Sequence, residues 1–139
     1  GAVAVLTDRP RPAEAQQDVP WLTAADPRAL LGDLAAPVYG HPDRALTLVG
    51  ITGTNGKSTV VELCGAILDA AGHPCGRIGT LGHHFAGDDL SRGRATDRTT
   101  PEASDLFRLL ASMRDRGARA VAMEVSSHAL VQGRAHGAR

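Results

Sequence analysis

Ala45-Leu-Thr-Leu-Val-Gly-Ile-Thr-Gly-Thr-Asn-Gly-Lys-Ser-Thr-Val60 runs from a largely apolar segment through a glycine-rich loop into an amphipathic helix. The segment over 45–51 has the pattern of a parallel strand covered on both faces. Beyond the loop, Val60, Leu63, Cys64, Ile67, Leu68 and Ala71 recur at helical spacing, and Gly72 marks the stop. Strand, glycine-rich loop and helix in succession make a unit that can wrap phosphate. Backbone N–H groups converge on the oxygens, a helix N-terminus stands behind them, and a mobile cation completes the site. Lys57 is the only lysine in a chain with fourteen arginines. A compact ammonium on a flexible stem serves such a loop where a planar guanidinium does not.

Within the loop, Gly53 and Gly56 let the backbone approach a ligand closely. Lys57 is then expected to reach β and γ phosphates, and the Ser58 hydroxyl to serve Mg²⁺. The strict pattern G-x-x-x-x-G-K-[ST] wants glycine at position 51, where this chain has Ile51 between Gly50 and Gly53. The plainer alternative is a glycine-rich turn with a solvated lysine, against which the flanking elements and the lone lysine both weigh.

Strand and helix alternate downstream. Residues 77–81 read as a strand, and 83–98 as a polar stretch with a hairpin-type turn at Gly87-Asp88. Thr99-Thr-Pro-Glu102 opens a helix. Thr99 and Glu102 fit a capping box, while Pro101 in the first turn favours Thr100 as the cap. Leu106, Leu109, Leu110 and Met113 supply that helix's core stripe, and Gly117 ends it. Ala120-Val-Ala-Met-Glu124 is a third buried strand ending in a carboxylate. The alternation points to a doubly wound α/β domain, in which Glu124 at a strand's C-terminal end faces the crevice of the phosphate loop. There it can hold a metal that bridges phosphates, or it simply caps the next turn. Ser126-Ser-His128 adds hydroxyls and an imidazole at the same edge. His128 alone reads as structural, Cys64 as core, and Thr99-Thr100 as capping.

Upstream, residues 2–6 and 19–22 read as short strands. Asp26-Pro27 starts a helix with Leu30, Leu31 and Leu34 on one face, up to Pro37. Tyr39-Gly-His-Pro-Asp43 is a turn, which divides the chain into 1–44 and 45–139.

Composition narrows the functional classes. A chain of 139 residues with 42% hydrophobic content suits a single ordinary core, built of aliphatic side chains because only 3% are aromatic. Fifteen acidic residues balance fifteen basic ones, which gives no nucleic-acid or membrane-surface patch. No apolar stretch approaches the roughly 18–20 residues of a bilayer span. Two cysteines fit reduced thiols in the cytoplasm, and His73-Pro-Cys75 and His83-His84 lack zinc spacing. The absence of an initiator Met and the ending on Gly133-Arg-Ala-His-Gly-Ala-Arg139 read as an excerpt of a longer chain.

Thr52-Gly-Thr-Asn-Gly-Lys-Ser-Thr59 resembles the ATP loop of the Mur ligases, which departs from the strict pattern in the same way. Thr99-Thr-Pro-Glu102, Met123-Glu-Val-Ser-Ser-His-Ala-Leu130 and Gln132-Gly-Arg134 resemble the MurE branch, and Asp26-Pro-Arg28 and Tyr39-Gly40 fit it too. The resemblance implies the doubly wound P-loop sheet of a Mur ligase central domain, incomplete here, over 45–139. Residues 1–44 would be the tail of a small N-terminal domain that grips the UDP-linked substrate. It also implies an ATP- and Mg²⁺-dependent ligase of peptidoglycan synthesis. A diamino acid, meso-diaminopimelate or lysine, would be joined to UDP-MurNAc-L-Ala-D-Glu through an acyl phosphate. Gly53, Thr54, Asn55, Gly56, Lys57, Ser58 and Thr59 would hold ATP, with Lys57 catalytic. Ser58 and Glu124 would serve Mg²⁺. Thr99, Thr100, Ser126, Gln132 and Arg134 would bind the UDP-linked substrate. The family's carbamylated lysine would lie downstream, and Arg98 stands where some relatives have Asn. The loop alone leaves two alternatives open: a MurF-like or folylpolyglutamate-synthase-like ligase, and a non-catalytic P-loop nucleotide-binding module.

Overall fold

A computed structural model describes residues 3–15, 18–91 and 98–138. The expected strand residue Ala2, part of the polar stretch before Arg98, and Arg139 lie outside them. Two short strands, β1 (Val5–Thr7) and β2 (Trp21–Thr23), pair in parallel as a sheet of their own. Asp26 caps a turn, its Oδ1 accepting from Ala29 N at 3.0 Å, while helix α1 itself begins later (Leu31–Val38). The leucines Leu30, Leu31 and Leu34 face outward, and Ala35 and Ala36 are the residues that pack, on Phe107.

A 3₁₀ turn (Pro42–Ala45) leads into strand β3 (Thr47–Ile51), then helix α2 (Lys57–Ala70) and strand β4 (Cys75–Gly79). Strands β5 (Gly82–Phe85) and β6 (Asp88–Asp89), helix α3 (Ala103–Asp115), strand β7 (Ala120–Glu124) and the short helix α4 (Ser127–Val131) follow. The main sheet has the order β3-β7-β4-β5-β6, with β3, β7 and β4 parallel. Strand β7, the middle one of these three, is buried throughout, as the sequence predicts.

Its two faces are divided between the helices. Val121 and Met123 join Leu106, Leu109, Leu110 and Met113 of α3. Ala120 and Ala122 pack with Val61 and Cys75, next to the partly buried Cys64 and Leu68 of α2. Helices on opposite faces of a parallel sheet give the doubly wound arrangement. Each fully buried leucine of α3 contributes about 1.5–3 kcal/mol, which makes that stripe the main stabilising seam.

Several local expectations are corrected. The first strand of this sheet starts at Thr47 rather than Ala45 and is half-exposed, because among the described residues β3 has a neighbouring strand on one side, β7. On α2 the outward face carries Val60, Leu63 and Ile67, the last two 58% and 67% exposed. The strand expected over 77–81 ends at Gly79, since Thr80-Leu81 turns the chain into an antiparallel pairing of Gly79 with Gly82. The next turn is Ala86-Gly87, one residue earlier than expected. Both residues have positive φ (52° and 85°), the conformation of a tight I′ hairpin. Burial would raise the Asp69 carboxyl's pKa, but bonds from Arg77 Nη2 and Cys75 N, each 2.8 Å, outweigh it and hold the group below its ordinary value. These contacts tie the end of α2 to β4. Among the described residues no helix is long and apolar enough to cross a membrane.

Candidate functional site: a phosphate loop joined to a strand-end carboxylate

Sheet register brings the key groups together. Ile51, the last residue of β3, pairs with Glu124, the last of β7. The loop that leaves Ile51 therefore starts level with the carboxylate. Gly56 caps α2 in a left-handed conformation (φ 78°) that glycine adopts without penalty, and Lys57 is the first helical residue. With no side chain at the cap, the first N–H groups of α2 remain available to an anion. Lys57 Nζ folds back on the loop, donating to Gly53 O at 2.8 Å and Thr54 O at 3.4 Å. Thr54, Asn55 and Thr59 are exposed around it.

Ser58 Oγ donates to Glu124 Oε1 at 2.8 Å. The same oxygen accepts from Thr80 N at 2.9 Å, and Thr80 Oγ1 lies 3.3 Å from Oε2. Glu124 is only 2% exposed, and among the described residues no cation pairs with it. Among the described residues, Ser58 and Thr80 are the side chains that reach its carboxylate oxygens. Gly79 makes room for it: a Cβ there would stand 2.4 Å from Oε1. A hydroxyl beside a carboxylate is a pair of hard oxygen donors. Among the described residues no three His, Cys, Asp or Glu side chains converge on a metal site. An ion at Ser58 and Glu124 would rest on one carboxylate, one hydroxyl and a nucleotide's own oxygens, which is how Mg²⁺ is ordinarily held. The residues present fit that ion.

The threonine pair does not cap α3, contrary to expectation. The helix starts at Ala103 with Glu102 at the cap position and no side-chain cap bond. The hydroxyls are engaged elsewhere, which is why they leave the helix uncapped. Thr100, fully buried, donates to Glu124 O at 3.0 Å and accepts from Ser126 N at 3.1 Å. Thr99 Oγ1 sits 3.0 Å from Thr80 Oγ1. Ser126 caps α4, accepting from Ala129 N at 3.1 Å.

Arg134, 8% exposed, completes the edge. It donates to Gln132 Oε1 from Nε (3.0 Å) and Nη2 (2.7 Å) and to Thr100 O from Nη1 (3.1 Å). Glu102 gathers Arg134 at 3.2 Å, Arg28 at 2.6 Å and Arg98. Gln132 Nε2 meets His128 Nε2 at 2.8 Å. The structure thus links Ser58, Glu124, Thr99, Thr100, Ser126, Gln132 and Arg134 in one network, with Lys57 beside it but turned to its own loop. Sequence motifs single out neither Thr80 nor the ion pairs that join Arg28 and Arg134 to Glu102. Thr80 had a usable signal, since it immediately follows a strand parallel to the P-loop strand.

The sequence model of the Mur ligase middle domain matches residues 51–139. The chain belongs to the Mur ligase family. A UDP-N-acetylmuramoyl-L-alanyl-D-glutamate–2,6-diaminopimelate ligase of Streptomyces coelicolor is 53% identical over 136 residues, 96% of this chain and 26% of that protein. The ligases of the same name from Streptomyces avermitilis and Geobacter metallireducens are 51% and 41% identical, over 99% and 100% of this chain. A solved structure of a ligase with that name superposes with a TM-score of 0.75 at 24% identity, covering 99% of this chain and 26% of its own. The fold is therefore that of a Mur ligase, and the chain spans about a quarter of the length of these relatives.

Proposed function

We propose that the full-length protein is an ATP-dependent ligase of peptidoglycan synthesis. It would join a diamino acid to UDP-MurNAc-L-Ala-D-Glu, acting in the cytoplasm. The names of the Mur ligase relatives favour 2,6-diaminopimelate over lysine as that amino acid. Residues 1–44 form the end of the substrate-gripping N-terminal domain and 45–139 the first part of the central one.

The observation that carries this reading is the unbroken hydrogen-bond path from Ser58 through Glu124 and Thr80 to Thr99. A phosphate-loop turn with a merely solvated lysine has no reason to be wired to a buried carboxylate and a threonine pair. Gly53 to Thr59 wrap the nucleotide phosphates, with Lys57 turning from its loop carbonyls to the β and γ oxygens. Ser58 and Glu124 hold Mg²⁺, which supplies charge neutralisation when bound. Thr99, Ser126, Gln132 and Arg134 take the UDP-linked substrate. Thr100, whose hydroxyl is enclosed, serves that group as the post fixing Ser126 and Arg134. The D-Glu γ-carboxylate accepts the γ-phosphoryl group with departure of ADP, and the diamino acid's amine then displaces phosphate to form the amide. Lys57 acts by positioning and by stabilising charge on the transferring group.

The test is ATP turnover by the full-length protein with UDP-MurNAc-L-Ala-D-Glu and 2,6-diaminopimelate. ADP release that requires both, with one amide formed per ADP, is expected. Turnover with a different acceptor would favour a sister ligase. Nucleotide binding without turnover would favour a non-catalytic module.

A further inference from the structure

Thr80 stands between the strand-end carboxylate and Thr99. It follows β4, where the chain turns, and presents two donors to one buried carboxylate, a main-chain N–H to Glu124 Oε1 and a hydroxyl to Oε2. The same hydroxyl is 3.0 Å from Thr99 Oγ1. A hydroxyl has one proton. If Thr80 gives it to Glu124, Thr99 must donate to Thr80. If Thr80 gives it to Thr99, Oε2 loses a donor in a site with 2% exposure and no paired cation among the described residues. The direction of this one hydrogen bond therefore depends on what engages Thr99, and it sets how well Glu124 is solvated by the protein.

We propose that Thr80 is a positioning residue that couples the two halves of the site: engagement of Thr99 by the UDP-linked substrate sets the donor state of Thr80 and thereby readies Glu124 for Mg²⁺ with nucleotide. This rests on the assignment of Ser58 and Glu124 to the metal and of Thr99 to the substrate. Coupling of this kind is reciprocal, so nucleotide with Mg²⁺ must tighten the UDP-linked substrate by the same factor.

The experiment uses the full-length protein, with Thr80→Val (near-isosteric, hydroxyl removed), Thr80→Ser (hydroxyl restored) and Thr80→Ala as a second hydroxyl-free variant should Thr80→Val fail to fold. Binding of ADP with Mg²⁺ is measured by calorimetry with and without saturating UDP-MurNAc-L-Ala-D-Glu. In the unsubstituted protein the substrate is expected to tighten ADP binding roughly five-fold or more. In Thr80→Val and Thr80→Ala that factor falls to about one, since no proton remains to be redirected. Thr80→Ser recovers it. Undiminished coupling in a folded hydroxyl-free variant, or absence of coupling in the unsubstituted protein, overturns the role of Thr80. Failure of the unsubstituted protein to bind either ligand instead overturns the proposed function.

Discussion

Ser58 and Glu124 are 66 residues apart in the chain and meet through a hydrogen bond of 2.8 Å. That contact exists because β3 and β7 are neighbours in register, so a loop leaving the end of one strand must pass the carboxylate ending the other.

Lys57→Ala in the full-length protein is expected to abolish ligation with little change in stability, because among the described residues its ammonium bonds to carbonyls of its own loop. Lys57→Arg should fail as well, since a planar, longer head cannot replace the ammonium there. Steady-state ligation assays decide the matter. Near-normal activity in either variant would end the phosphate-loop reading.

Glu124→Ala and Arg134→Ala should fail differently. Loss of the carboxylate is expected to impair Mg²⁺-dependent catalysis. Loss of the guanidinium should mainly raise KM for the UDP-linked substrate. If Arg134→Ala raised KM for ATP alone, the assigned roles would be wrong.

Thr100→Val should cost stability as well as activity. It strands Ser126 N and removes the donor to Glu124 O, in a residue with no exposed surface. A loss of about 1–3 kcal/mol is expected for leaving such a group unpaired. Thr100→Ser should recover most of it. Denaturant unfolding of the three proteins reads this directly, and equal midpoints for Thr100→Val and the parent would contradict it.

His83 links stability to pH. Burial pushes its imidazole below the ordinary value; His84 and Arg108 act the same way, while the Gly82 backbone and Asp89 oppose them. A base with a depressed folded pKa binds its proton more readily when unfolded. Its contribution is therefore complete above the unfolded value of about 6.5 and is lost as pH falls below it, until the folded pKa is passed. NMR titration of the His83 ring in the folded protein should give a midpoint below the ordinary histidine value of about 6.5. A higher midpoint would reverse the sign.

The 139-residue segment alone is expected to self-associate and to lack ligase activity, while retaining weak nucleotide binding. Among the described residues strand β3 is an edge strand, and Val60, Leu63 and Ile67 form an exposed apolar face on α2. Sedimentation and ligation assays check both parts. A monodisperse monomer would refute the association, and measurable ligation would show that the segment holds the whole active site.

Local patterns carried much of this molecule. The stripe Leu106, Leu109, Leu110 and Met113 is buried as its spacing predicts, and the apolar run of β7 is the middle one of the three parallel strands. The turn from β3 into α2 and the strand-end position of Glu124 were legible because their residue types and flanking elements are local. Thr99 and Thr100 misled, because a threonine before a proline and a helix has the chemistry of a cap. Only the tertiary approach of Glu124 and Ser126 claims the Thr100 hydroxyl. The outward leucines of α1 and α2 misled for a related reason: periodicity finds a face but not what lies opposite it. Arg28 is paired with a carboxylate 74 positions away, a partnership no spacing rule could find.

The unequal faces of β7 set different mutational tolerances on the two sides of the sheet. Toward α3 stand Val121 and Met123, whose packing against leucines and a flexible methionine leaves room for compensating exchange. Toward α2 stand Ala120 and Ala122, where any larger side chain must push against the helix that begins with Lys57 and Ser58. Exchange on the α3 side can therefore be absorbed as repacking, whereas growth by even one methyl on the α2 side presses on the helix that carries Lys57 and Ser58.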